Sequence, residues 1–207
     1  MGVTMGKKSK EKTSTKSKRG RISREQIIAY HEAGHAVMRH ILGHGFKSIS
    51  TTKGEDGSEG RVRNKPGLRL KSWTKEAAIQ NEEEIMALMS GMAATCILRG
   101  RPRIQAAEII LQGNQDWDRA SVLAKQRCIS TGVIGDRETD HYLRWLEIRT
   151  QNTLKRRWGA VVALADAVMG GKKLSEEQAV RIIEGNEGRI SVVHENGVWE
   201  IRKVGRL

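Results

Sequence analysis

AYHEAGHAV, residues Ala29 to Val37, sets two histidines four positions apart with a glutamate directly after the first. The pattern around it is helical. Ser23 and Gln26 have the spacing of a capping box, and Ile27, Ile28, His31, His35, Met38 and Leu42 recur with a helical period as far as Gly43. On a helix each residue advances about 100°, so His31 and His35 project from one face a single turn apart, with Glu32 next to that face. Gly34 in mid-helix costs about 1 kcal/mol relative to alanine, and close approach of another element or of a substrate is a reason for it.

Working outward, FKSISTTKGEDGSEGRVRNKPG places β-branched residues between glycine and charge clusters, which predicts short strands around Phe46–Thr52 and Gly60–Arg63. Helical periodicity returns from about Ser72 to Leu98, from Asp116 to Thr131, and from Glu138 to Trp158, continuing through an alanine- and valine-rich segment to Gly170 and Gly171. LSEEQAVRII opens a last helix with Ser175 as N-cap and Gln178 three on. In RISVVHENGVWEIRKV, Asn196-Gly197 between two β-rich runs predicts a hairpin. The expected fold is mainly α, with a small β element and a C-terminal β-hairpin. The expected organisation is a basic tail over 1–21, a main domain over 22–187 and a hairpin extension over 188–207.

The net charge of +13 suggests an anionic partner, but its distribution points elsewhere. Residues 1–21 hold eight lysines and arginines against Glu11 alone, a net +7 of that total. This lysine- and serine-rich stretch has almost nothing apolar to bury and is expected to be disordered. It has no interleaved aromatics on which bases could stack, which argues against a nucleic-acid-binding arm. Cys96 and Cys128 form no CxxC and no disulfide framework, so a reducing compartment is expected. No apolar run is long enough to span a bilayer or follows the N-terminus as a signal segment. The expectation is a cytoplasmic protein without a membrane span. GGKKLS lacks the first glycine and the hydroxyl residue of a phosphate-binding loop.

HExxH on a helix is a zinc-peptidase pattern with a mechanism. Two imidazoles one turn apart hold one cation, and a zinc ion with three protein ligands keeps a position for water and lowers that water's pKa to about 7. A neighbouring glutamate then accepts the proton. The third ligand is open on spacing alone. HExxHxxGxxH is excluded by Met38 and Ile41, and His40 and His44 lie round the helix from the pair. Glu76, Glu82, Glu83 and Glu84 read as a solvated face. Asp116 and Asp118 in GNQDWDRAS suit a first helical turn without any metal.

AYHEAGHAV followed by a strand region, then GMAATCILRGR, GNQDWDRASVLAKQRC and RWGAVVALADAVMGGKKLSEEQAVRII, resemble the protease domain of the FtsH-type ATP-dependent zinc metallopeptidases. The order and approximate spacing match over Ile22 to Glu184. The resemblance implies a zincin-like helical peptidase fold and Zn2+ as cofactor. It implies His31 and His35 as metal ligands, Glu32 as catalytic base, and Asp116 as third ligand with Asp118 as fallback. It also implies an edge strand that pairs with extended substrate, mapping to Gly60, Arg61, Val62, Arg63 and Asn64. Thr95 and Cys96 stand where the family has a paired acidic motif, and its membrane spans and ATPase have no counterpart in these residues. The expectation is therefore a stand-alone zinc metalloendopeptidase acting on flexible or unfolded polypeptide. The alternative is a non-catalytic basic protein that keeps the scaffold and binds nucleic acid or a protein partner.

Overall fold

The structure is a computed structural model that describes residues 21–52, 60–64, 75–105, 109, 115–132, 135–186, 190–195 and 198–203. The predicted tail, apart from Arg21, and the Asn196-Gly197 turn lie outside them.

Helix α1, Arg24–Ile41, begins at the predicted capping box. Ser23 Oγ accepts from the Gln26 amide at 3.1 Å, and Gln26 Oε1 accepts from the Ser23 amide at 2.9 Å. Such a cap contributes about 1 kcal/mol and fixes the phase of every later residue in the helix. The helix stops where Gly43 takes a φ of +71°, a conformation that glycine adopts at no steric cost.

Two short strands follow, β1 (Phe46–Ser50) and β2 (Arg61–Asn64), and then helix α2 (Lys75–Leu98). Every residue of α2 from Ile85 to Ile97 is buried, which matches a segment apolar on all sides. It is the central helix: α1 packs on it, as do α3 (Gln115–Ser130) and α4 (Asp136–Arg156). The close contact with α1 explains Gly34. A Cβ there would lie 2.6 Å from the Ser90 carbonyl oxygen and 2.7 Å from Ala94 Cβ, so the approaching element is the backbone of α2.

The continuous helix expected beyond Glu138 is broken. α4 ends at Arg157, whose amide donates to the Leu154 and Lys155 carbonyls, and α5 (Trp158–Val168) starts afresh. Unbroken, the two would run about 50 Å, longer than a small domain is wide. The break drives Trp158, which is fully buried, into the core beside Tyr30, with ring centroids 5.7 Å apart, and lays α5 along α1.

Gly170 and Gly171, at φ of +79° and +77°, turn the chain back into strand β3, Lys173–Ser175, which the sequence reading did not anticipate. The sheet order is β2-β1-β3, all antiparallel, with Ile49 opposite both Val62 and Leu174. These three side chains share the inner face: Ile49 is a core residue, and Val62 and Leu174 pack against the core. Thr51 and Thr52 secure the return, their hydroxyls donating to the Val168 carbonyl at 2.7 Å and the Gly171 carbonyl at 2.8 Å. Helix α6, Glu176–Gly185, opens on the predicted Ser175 and Gln178 capping box. Strands β4 (Ile190–Glu195) and β5 (Val198–Lys203) pair antiparallel as the predicted hairpin. The protein is thus mainly helical with a small antiparallel sheet, and no helix among the described residues is long and apolar enough to cross a membrane.

Candidate metal centre

Two helices bring three side chains to one point. His31 and His35 project from the same face of α1, and Asp116 comes from the first turn of α3. Ion pairing of Arg119 with Glu84 at 3.6 Å, and the Asn81 side-chain amide donating to the Leu123 carbonyl at 3.4 Å, fasten α3 to α2. The facing nitrogens, His31 Nε2 and His35 Nε2, are 3.0 Å apart. Asp116 Oδ2 lies 3.1 Å from His35 Nε2 and 3.9 Å from His31 Nε2. Among the described residues this is the one group of three or more potential ligands close enough to hold a single metal ion.

The tautomer of His35 follows from its surroundings. Its Nδ1 lies 2.8 Å from the Ala87 carbonyl oxygen, which can only accept, so Nδ1 carries the hydrogen and Nε2 faces the cluster. Ser90 closes the arrangement: its hydroxyl donates to the same carbonyl at 2.6 Å and lies 3.3 Å from Nδ1.

Two ring nitrogens and a carboxylate oxygen this close must share hydrogen or a cation between them. A proton is one solution. Burial works against charge on His35, yet Asp116 beside it, aided by Glu32 and the Ala87 carbonyl, pushes its pKa up to about 9. Burial likewise works to raise Asp116, but the His35 charge and hydrogen bonds from His31 and His35 outweigh it and hold the carboxyl well below the usual carboxylate range. A divalent cation is the other solution, and the donor set fits one. Tetrahedral ligands about 2.05 Å from zinc stand about 3.3 Å apart, close to the mean of the three separations here.

The space beside these nitrogens is kept by Gly91 of α2. A Cβ at that position would lie 2.6 Å from His31 Nε2 and 2.7 Å from His31 Cε1, and would press on His35 Nε2. Sequence reasoning missed Gly91. The signal was present, since a glycine inside the apolar run of α2 carries the same cost of about 1 kcal/mol that drew attention to Gly34.

Glu32 is buried, 7% exposed, beside the three. Burial pushes its pKa up; His31 and His35 offset this in part, Asp116 adds to it, and a hydrogen bond from the Val62 amide opposes it. That hydrogen bond joins the glutamate to β2, an edge of the described sheet. Gly60 lies against the same side chain, for a Cβ there would be 2.8 Å from Glu32 Oε1 and 2.9 Å from Ile28 Cγ2. Of the predicted strand residues, Gly60 and Val62 therefore touch Glu32, while Arg61 and Arg63 are exposed.

The other carboxylates and histidines weighed as ligands are placed elsewhere. Asp118 is exposed and outside the cluster, and Glu76 is exposed. Glu82 accepts from Tyr142 and Arg149, Glu83 pairs with His44, and Glu84 pairs with Arg39. The acidic run of α2 is thus a set of partners for neighbouring helices rather than a wholly solvated face.

No family model matches the chain, and no curated protein matches it.

Proposed function

We propose that the chain is a zinc-dependent peptidase of zincin-like fold that hydrolyses peptide bonds in flexible or unfolded polypeptides. The observation that carries this reading is the meeting of His31 Nε2, His35 Nε2 and Asp116 Oδ2 within 3.9 Å, with the Glu32 carboxylate buried beside them. His31, His35 and Asp116 hold the ion in this reading. Zinc bound there supplies a Lewis acid that polarises a peptide carbonyl and eases deprotonation of water.

The chain's own residues do the rest. Glu32 accepts a proton at its carboxylate as water oxygen bonds to the carbonyl carbon, and delivers it to the amine nitrogen as the C–N bond breaks. Burial raises the Glu32 pKa, which makes the carboxylate a stronger proton acceptor. Gly60 and the Val62 amide hold its side chain in place. Strand β2 offers an edge to an extended peptide, and main-chain pairing makes little demand on sequence. The motif order that resembles the FtsH-type peptidases supports the same reading. Its missing acidic pair falls at Thr95, whose hydroxyl donates to the Met92 carbonyl at 2.9 Å, and at Cys96, whose thiol donates to the Arg103 carbonyl at 3.5 Å. Both are buried packing positions.

The test is turnover. Zinc-loaded protein cleaves a casein-like chain, a chelator stops the reaction, and added zinc restores it. Glu32→Gln retains one zinc per chain yet loses cleavage by about 10²–10⁴-fold. Wild-type turnover in that variant refutes the assignment of Glu32.

A further inference from the structure

The β2-β1-β3 sheet has a second face. Ile49, Val62 and Leu174 point inward, so Ser50, Arg61, Arg63, Lys173 and Ser175 point outward, with Ser50 opposite both Arg61 and Lys173; Ser48, opposite both Arg63 and Ser175, follows an irregularity in β1 and is buried. This outward set contains three cations, two small hydroxyl residues and no carboxylate. Arg61, Arg63 and Lys173 are exposed. Two of the three lie on β2 itself, on either side of Val62, whose amide meets Glu32. A peptide strand added to the outer edge of β2 sets its residues opposite Arg61 and Arg63 on that same outward face, two positions apart.

We propose that the preferred substrate is an extended peptide carrying acidic side chains at alternate positions, read by Arg61 and Arg63 with Lys173 adding to the field; the proposal rests on the peptidase reading above. Opposite charges directly across a strand pair favour pairing, and like charges oppose it. Two such pairs amount to about a 2- to 30-fold preference in affinity. Sequence tolerance along the peptide backbone thus coexists with selection by charge on one side of the strand.

The experiment uses the full chain as Glu32→Gln, loaded with zinc so that it binds without cutting. Three labelled ten-residue peptides of serine background, carrying aspartate, lysine or serine at alternate positions, are titrated by fluorescence anisotropy at low and high salt. The aspartate peptide binds most tightly and the lysine peptide least, and the spread narrows at high salt. Adding Arg63→Glu reverses the ratio of aspartate to lysine peptide affinities. Equal affinities for all three peptides, or an unaltered ratio in Arg63→Glu, overturn the proposal. A single-stranded oligonucleotide that displaces the aspartate peptide at lower concentration than the peptide itself assigns the face to nucleic acid and also overturns it. Casein turnover by the wild type separates the two claims. Selective binding without turnover sinks the peptidase reading and leaves the acidic-strand surface standing, and turnover with equal peptide affinities does the reverse.

Discussion

Replacing Gly91 by alanine places one methyl group where the proposed metal site is narrowest. The new Cβ lies 2.6 Å from His31 Nε2, against an ordinary contact of about 3.5 Å, so an imidazole must retreat by about 0.9 Å. His35 cannot swing away freely, because its Nδ1 is held by the Ala87 carbonyl at 2.8 Å, one turn before residue 91 on the same helix. A metal site tolerates ligand shifts of about 0.2 Å. Loss of a supporting partner outside the ligand set lowers metal affinity about 10- to 100-fold, and displacing a ligand itself lies at the upper end of that range or beyond it. The fold suffers less. Alanine gains about 1 kcal/mol of helix propensity over glycine, overpacking costs about 1–3 kcal/mol, and the net is a loss of about 0–2 kcal/mol. Zinc affinity measured against a fluorescent chelator should therefore fall about 100-fold or more, while a thermal melt of the chelated protein remains cooperative. Gly185→Ala, which meets nothing within 4 Å, is the control and should keep wild-type affinity. Stoichiometric zinc uptake by Gly91→Ala at wild-type affinity would refute the argument that the glycine keeps the site open.

Three further outcomes are expected. Asp116→Ala should lose tight zinc binding while Asp118→Ala keeps it, measured as metal retained after gel filtration; the opposite pattern would move the third ligand to the exposed aspartate. Gly60→Ala should keep its zinc but cleave about 10- to 100-fold more slowly, because the added methyl displaces Glu32 rather than the ligands, and displaced positioning residues cost on that scale. For zinc-free protein, the pKa of His35 is raised from 6.5 to about 9, so its contribution is fully present below about pH 6.5 and is lost as pH rises through 9. The Asp116 contribution, from a lowered pKa, is present above about pH 4 and is lost on acidification. Urea unfolding of the chelated chain should show a loss on the order of 3 kcal/mol between pH 6.5 and 9.5, and a flat profile there would count against the His35–Asp116 pair.

Much of this was legible in the sequence where the code is local. Both capping boxes were readable because four residues specify them. The helix carrying His31, Glu32 and His35 was readable because a period of 3.6 persists over four turns. Spacing alone left the third ligand open, since an aspartate in a first helical turn has an ordinary reason to be there; tertiary packing of α3 on α2 separates Asp116 from Asp118. Strand β3 was missed because Leu174 alone faces inward from it, and one apolar residue makes no period. The break at Arg157 was missed for a related reason. The sequence on both sides of it is helical, and the fully buried Trp158 that follows the break is as compatible with a helix interior as with a helix start.

The contact between α1 and α2 makes the fold and the candidate site one problem. Gly34 lets the backbone of α2 come up to α1 at Ser90, and Gly91, the next residue on α2, leaves room for the imidazoles that α1 sends across the same seam. The α2 carbonyl at Ala87 then selects the tautomer that turns His35 Nε2 toward Asp116. Two helices at ordinary separation could still carry HExxH, but the histidine would lose its hydrogen-bond partner and its orientation. The two glycines, each unfavourable by about 1 kcal/mol in an isolated helix, are thus accounted for by the same interface. Helix propensity is given up where the helices must touch, and the touching orients the donors that a metal ion requires.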